Sequence, residues 1–269
     1  MAAFLAEQDW IARDEYALRF GHASARLLAR WPRLSRRLLA CESPWRRFVL
    51  WIQLRTRALD DVLLEYARSG GDQLVILGAG FDCRAQRFAA ELARARIYEI
   101  DHPATQARKR ALLQRAGDVP APVEYLAWDF EAHGADRLPA VLRERGLDPE
   151  RPTLVLLEGV TMYLSEAAIE STVACVRALG AAGSIFAFNY IERGVLGRDL
   201  SARAAALLGE RHVFGWDPRQ LPQWLAARGF RLVSQRSDVE LAREYLPHSV
   251  AKRVHASARV AIAVRAPNA

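Results

Sequence analysis

Val75-Ile76-Leu77-Gly78-Ala79-Gly80-Phe81-Asp82 is the stretch on which the fold of this chain turns. Gln73 to Leu77 is a short, mostly apolar run with glycines on both sides, which predicts a buried strand. The strand closes on Gly78-Ala79-Gly80, and a helix is expected from Asp82 to Leu92. Two glycines so placed let the chain turn tightly and let a ligand approach the backbone. The third glycine of a dinucleotide fingerprint is absent, because Cys83 holds its place. The turn therefore favours a nucleoside ligand without a pyrophosphate. Alone, a GxG pattern is also what an ordinary turn needs.

Outward from this turn the sequence alternates. Strands are expected at Arg96 to Ile100, Val123 to Ala127, Thr153 to Leu157, Ser184 to Tyr190, Phe230 to Gln235 and Arg259 to Val264. Between them, helices are expected from His102-Pro103 to about Ala116, Ala135 to Arg145, Ser165 to Leu179, Arg193 to Glu210 and Asp217-Pro218 to Gly229. Such alternation predicts a Rossmann-like α/β fold with a mostly parallel, seven-stranded sheet. Ligands of such sheets sit at the carboxyl ends of the strands, near the switch in strand order. Upstream, Ser43-Pro44 starts a helix ending near Ser69-Gly70-Gly71, and the first seventy residues read as a helical N-terminal cap.

The 269 residues, 51% of them apolar, suit one α/β domain: a cap over 1–70 and a core over 71–269 with a helical insert at about 190–216. No apolar run approaches the roughly 20 residues of a membrane span. The first ten residues, with Glu7 and Asp9, lack the pattern of a secretory signal, so a cytoplasmic location is expected. Cys41, Cys83 and Cys175 are far apart with no CxxC, which argues against a disulfide framework and against a metal site. The net charge is +7, and Arg26, Arg30, Arg33, Arg36, Arg37, Arg46, Arg47, Arg55 and Arg57 crowd a stretch whose only acid is Glu42. Two readings stay open: solvated helix faces with buried stems, or a surface for an acidic carrier protein, RNA or an anionic substrate.

Asp101 ends the second strand, about twenty residues after the glycine turn, where a carboxylate can accept both ribose hydroxyl protons. It could equally cap the helix that follows. Asp129 follows the third strand, where it can accept from an adenine amino group while Phe130 stacks on the ring; the plain alternative is a loop aspartate capping the next turn.

Five segments resemble the leucine carboxyl methyltransferase family and its bacterial small-molecule relatives. They are Leu54-Arg-Thr-Arg-Ala-Leu-Asp60, Val75 to Arg84, Tyr98-Glu-Ile-Asp-His-Pro103, Leu156-Leu-Glu-Gly-Val-Thr-Met-Tyr-Leu164, and Phe214-Gly-Trp with Arg228-Gly-Phe230. The resemblance covers roughly residues 50–247, is poor over residues 1–44, and departs at Cys83, where the family usually has threonine. It implies a class I methyltransferase fold with S-adenosyl-L-methionine as cofactor. It further implies that Arg55 binds the methionine carboxylate, that Gly78, Gly80 and Asp82 line the methionyl and ribose portions, and that Asp101 holds the ribose and Asp129 with Phe130 the adenine. Glu158 is placed near the cofactor's ammonium or sulfonium. That fits its position, since a carboxylate closing an apolar strand is costly unless paired with a cation.

The resemblance also implies the reaction. Methyl transfer displaces a sulfonium in line, so the protein chiefly aligns the reactants and excludes water. A carboxylate acceptor needs no base, whereas a hydroxyl acceptor benefits from one. Tyr163 and His212 are the candidate catalytic residues, with Tyr190 and Glu192 further candidates by position. The expected activity is O-methylation of a small metabolite, with natural-product biosynthesis as one setting. The alternatives are methylation of a protein carboxylate, a carrier-bound substrate or tRNA, and a NAD(P)-dependent reductase.

Overall fold

The computed structural model describes Asp14, Tyr16 and Phe20, then residues 44–117, 122–196, 212–251 and 258–267. The long helix α1 (Pro44–Arg68) leads into β1 (Gln73–Leu77). Next come α2 (Arg84–Arg87), β2 (Arg96–Asp101), α3 (Pro103–Arg115), β3 (Val123–Ala127), α4 (Phe130–His133), α5 (Leu138–Glu144) and β4 (Leu154–Leu157). A single 3-10 turn, Thr161–Tyr163, precedes α6 (Glu166–Ala178), β5 (Ile185–Ile191) and a second 3-10 turn, Arg193–Val195. The described elements close with α7 (Leu221–Ala226), β6 (Phe230–Ser237), α8 (Asp238–Tyr245), α9 (His248–Ala251) and β7 (Ala258–Arg265).

The seven strands form one sheet in the order β3-β2-β1-β4-β5-β7-β6. The first five are parallel, and β7 runs antiparallel to both β5 and β6. The order reverses between β1 and β4, so their carboxyl ends open the crevice in which such sheets bind ligands. All five residues of β1 and all four of β4 are buried, as a strand covered on both faces requires. Alternation then splits the core. Val75, Leu77, Val155 and Leu157 face a layer with α5, α6 and α7, while Leu74, Ile76, Leu154 and Leu156 face Leu54, Leu59 and Leu63 of α1. Helix α1 thus packs on the sheet beside the switch point.

Several helices differ from the expected ones. In place of Asp82 to Leu92, only Arg84–Arg87 is helical, because Phe88 leaves helical geometry (φ −116°, ψ 33°) and turns carry the chain on to β2. The helix expected over Ala135 to Arg145 is shorter, with α4 ahead of it. The one expected from Asp217-Pro218 begins at Leu221, after a turn. Arg193 to Glu210 starts as the 3-10 turn, and its remainder from 197 lies outside the described residues, as do Ser43 and the basic run through Arg37. Helix α8 was not expected, although Ser237 and Glu240 form a full capping box at its start. Among the described residues no helix is long and apolar enough to cross a membrane.

Candidate cofactor site

Gly78 and Gly80 both lie at positive φ, +64° and +50°. A Cβ on Gly78 would stand 2.4 Å from Val160 Cγ2, so the turn and the chain after β4 touch where only glycine fits. A Cβ on Gly80 would meet Asp101 Oδ2 and the Gly78 carbonyl, each at 3.9 Å, an ordinary contact distance. The Gly80 amide donates to the Asp101 carboxylate. Asp101 does not cap α3; His102 does, its Nδ1 accepting from the Ala104 amide at 3.2 Å. Asp101 therefore sits at the end of β2, one strand from the switch point, and is tied to the glycine turn. Phe81 stands 39% exposed beside it, with the Phe20 ring 5.6 Å away and Tyr16 next to that.

Asp129 follows β3 and accepts from the Ala132 amide at 3.1 Å, so the helix-capping reading holds for one oxygen. Its other oxygen lies 3.7 Å from His102 Nε2. Phe130 packs partly buried against the core below.

The densest feature is a cluster of charges between α1, the glycine turn and the end of β4. Glu158 Oε1 accepts from Arg55 Nε at 2.9 Å and from the Thr56 hydroxyl at 2.8 Å. Its Oε2 lies 2.7 Å from Arg84 Nη1. Arg84 is 2% exposed and runs along α1, giving Nε to Asp60 at 2.7 Å and Nη2 to the Thr56 carbonyl at 3.3 Å. It also binds Asp82, whose carboxylate accepts from the Arg84 amide at 2.7 Å. Arg87 closes on Asp60. Three guanidiniums thus meet three carboxylates. Burial alone would raise the Glu158 carboxyl, but Arg84 and Arg55 outweigh it and hold it at about 2. Burial opposes the charge of Arg84 too, and Asp82, Glu158 and Asp60 together overcome it. The cation that the Glu158 carboxylate requires is therefore present within the chain itself.

Gly159 is the shelf beneath Arg55. It lies at φ +72°, and a Cβ there would come within 3.1 Å of Arg55 Nη2. Its amide donates to Asn189 Oδ1 at 2.6 Å, and Thr161 Oγ1 donates to the Asn189 carbonyl at 2.7 Å. Asn189, fully buried on β5, so fixes the chain just after β4. Below the turn, Lys109 of α3 is buried against Glu99 of β2, whose carboxyl burial pushes up to about 7 despite the lysine. Burial also pushes the Cys83 thiol up, leaving it a packing group.

Tyr163 and His212 come together, ring centroids 5.4 Å apart and nearly edge to face. The Val213 amide donates to the Met162 carbonyl at 2.8 Å, which brings the segment after residue 211 to the 3-10 turn. Tyr163 and Val213 are exposed there, by 39% and 54%. The two further candidates have partners of their own. Tyr190 is buried, donates to Gln235 Oε1 at 2.8 Å and has its phenol pushed up by burial; Glu192 is paired with Arg259 Nε at 2.7 Å. Arg84, Thr56, Gly159 and Asn189 carry the site without having been picked out individually. Arg84, Thr56 and Gly159 lie inside the quoted segments, but Asn189 reads as one polar residue in a strand and gives no signal.

The leucine carboxyl methyltransferase family model matches residues 1–177, beginning well upstream of the first segment quoted above. A Streptomyces coelicolor protein provisionally named an S-adenosyl-L-methionine-dependent methyltransferase is 39% identical over 185 residues, 67% of this chain and 59% of that protein. A Frankia alni protein provisionally given the same name is 34% identical over 176 residues, 62% and 58% of the two chains. The chain therefore spans about three fifths of the length of these relatives. A crystal structure provisionally described as a methyltransferase from Thermobifida fusca covers 93% of both chains at a TM-score of 0.60 and 16% identity. That likeness shows the fold alone, a Rossmann-like α/β sheet. With the family model matching about two thirds of its length, the chain belongs to the leucine carboxyl methyltransferase family.

Proposed function

We propose that the protein is an S-adenosyl-L-methionine-dependent methyltransferase that methylates a carboxylate or hydroxyl oxygen of a small metabolite. The observation that carries this reading is the tie between the Gly80 amide and Asp101 next to the switch point, with Arg55 and Glu158 beside it. A Cβ on Gly80 would have no neighbour closer than 3.9 Å, which suits a backbone that a ligand approaches. In this reading Asp101 holds the ribose hydroxyls, Asp129 the adenine amino group, and Phe130 borders the ring. Gly78 and Gly80 form the floor, and Asp82 shapes it through Arg84. Arg55 takes the methionyl carboxylate, a task suited to a guanidinium fork. When bound, the cofactor supplies a methyl group on an already activated sulfonium.

The same geometry disfavours a dinucleotide. In the reductase fingerprint a helix N-terminus receives the pyrophosphate. Here α2 is four residues long and the amide at its start is already taken by the Asp82 carboxylate, so a phosphate would meet a negative charge. Tyr163 and His212 flank the acceptor side, where His212 is the base for a hydroxyl acceptor and Tyr163 orients it. An acidic partner at the Arg26 to Arg57 region is a second substrate source, and carrier-bound or RNA substrates belong in the same assay.

Calorimetry with S-adenosylhomocysteine and NADPH tests the cofactor, and label transfer from methyl-labelled cofactor to free and carrier-bound acids and alcohols tests the reaction. Binding of S-adenosylhomocysteine but not NADPH is expected. Binding of NADPH alone would overturn the reading.

A further inference from the structure

We infer that Glu158 is a positioning residue that acts on the cofactor through Arg55, and that Arg84 is the counter-charge that lets it do so. The inference rests on the cofactor reading above and concerns how the methionyl end is held.

The carboxylate of Glu158 has about four acceptor sites. Three are taken, by Arg55 Nε, the Thr56 hydroxyl and Arg84 Nη1. The hydroxyl and Arg55 meet on the same oxygen, and they come from consecutive residues of α1, so this carboxylate grips one turn of that helix. Among the described residues, Arg55 is held by its inner nitrogen alone, and its two terminal nitrogens have no hydrogen-bond partner. The guanidinium lies over Gly159, whose missing Cβ leaves it room, 3.1 Å from Nη2 and 3.6 Å from Nη1 and Cζ. The edge of Arg55 that suits a carboxylate is thus left available, while Nε is used to aim it.

Arg84 decides the charge balance. Arg55 alone would neutralise Glu158 and have nothing left for an anionic ligand. Arg84 Nη1 takes the other oxygen of Glu158, so Arg55 shares that carboxylate with a second guanidinium instead of being its sole counter-ion. A cluster of three cations and three anions has no net charge to offer an ammonium. What it offers is a directed pair of donors.

The test uses the whole protein, the Glu158→Gln variant and three ligands in calorimetry. These are S-adenosylhomocysteine, its analogue lacking the α-carboxylate, and its analogue lacking the α-amino group. A hydrogen bond between charged groups sets the expected penalty of Glu158→Gln on S-adenosylhomocysteine at about tenfold. The same penalty is expected for the analogue without the amino group, and none for the analogue without the carboxylate. A penalty that persists without the carboxylate and disappears without the amino group would overturn the inference, since Glu158 would then contact the ammonium directly. An equal penalty on all three would overturn it as well, marking a purely structural loss. Thr56→Val, which removes one neutral donor to the same oxygen, is expected to show the same pattern in weaker form and serves where Glu158→Gln does not fold. If the unmodified protein fails to bind S-adenosylhomocysteine, it is the cofactor reading that falls.

Discussion

The amide of Gly80 and the carboxylate of Asp101 are joined by a hydrogen bond that ties the end of β1 to the end of β2. Asparagine at position 101 keeps an acceptor for that amide but loses the charge offered to a ribose. Asp101→Asn is therefore expected to weaken S-adenosylhomocysteine binding by tenfold or more, at about 1.5–3 kcal/mol per hydrogen bond to a charged group. The melting temperature should barely move. Calorimetry and thermal melts check this, and equal affinity in the two proteins would remove Asp101 from the ribose site.

Arg84 is held among Asp60, Asp82 and Glu158 with almost no exposure. Arg84→Met leaves those carboxylates without their common cation. Removing one partner of a buried ion pair costs about 3–5 kcal/mol. Urea denaturation should show a loss of that order, and a loss below about 1 kcal/mol, the scale of an exposed pair, would mean the cluster is solvated.

Glu158 also sets an acid limit. Its carboxyl is held at about 2 in the folded chain, against an ordinary value of 4.5. A depressed folded value contributes stability that is present above the unfolded value and is lost as protons bind the folded state. The contribution is thus complete above about pH 4.5 and disappears as pH falls toward 2. Stability measured across that window should fall less steeply in Glu158→Gln than in the unmodified protein. Parallel curves would contradict the arrangement.

Gly159→Ala separates strain from function. An alanine at φ +72° pays about 1–2 kcal/mol for the left-handed backbone and also pushes on Arg55. Gly183 lies at φ +90° before β5 with nothing near its missing Cβ. Gly183→Ala should carry a comparable loss of stability with unchanged cofactor affinity. Gly159→Ala should lose stability and, in addition, about tenfold in affinity, the worth of a well-made charged hydrogen bond.

On the acceptor side, His212→Ala is expected to lower kcat on a hydroxyl acceptor by on the order of 10²-fold or more, the usual worth of a general base. Affinity for S-adenosylhomocysteine should not change. A carboxylate acceptor should be affected far less. Equal losses on both acceptor types would leave His212 with a packing role against Tyr163.

The sequence makes the parallel half of the sheet legible, because β1 and β4 are short apolar runs between turn signals and β3 is matched residue for residue. The ends of β1 and β2 are equally legible, since Gly80 and Asp101 lie where chain order alone puts them next to a switch point. Helices whose ends depend on tertiary partners are not. Arg84 and Arg87 reach Asp60 from 24 and 27 residues away, and α2 is only as long as that grip. The capping box at Ser237 to Glu240 is a local signal, but its Ser237 is also the last residue of β6, whose pattern dominates that stretch. For Glu158, the need for a cation can be reasoned from its place at a strand end. That Arg55 and Arg84 both supply it depends on the docking of α1, which no local pattern encodes.

The place of β7 between β5 and β6 bears on how the molecule is made. Synthesis runs from the amino end, and domains begin to fold while it proceeds. Strands β3, β2, β1, β4 and β5 can pair as they emerge, but β5 keeps an open edge and β6 has no neighbour until residues 258–265 arrive. The nascent chain therefore carries an unpaired strand edge through the making of β6, α8 and α9. That edge belongs to the strand whose Asn189 holds Gly159 in place. The interval is one in which a chaperone has a defined surface to protect.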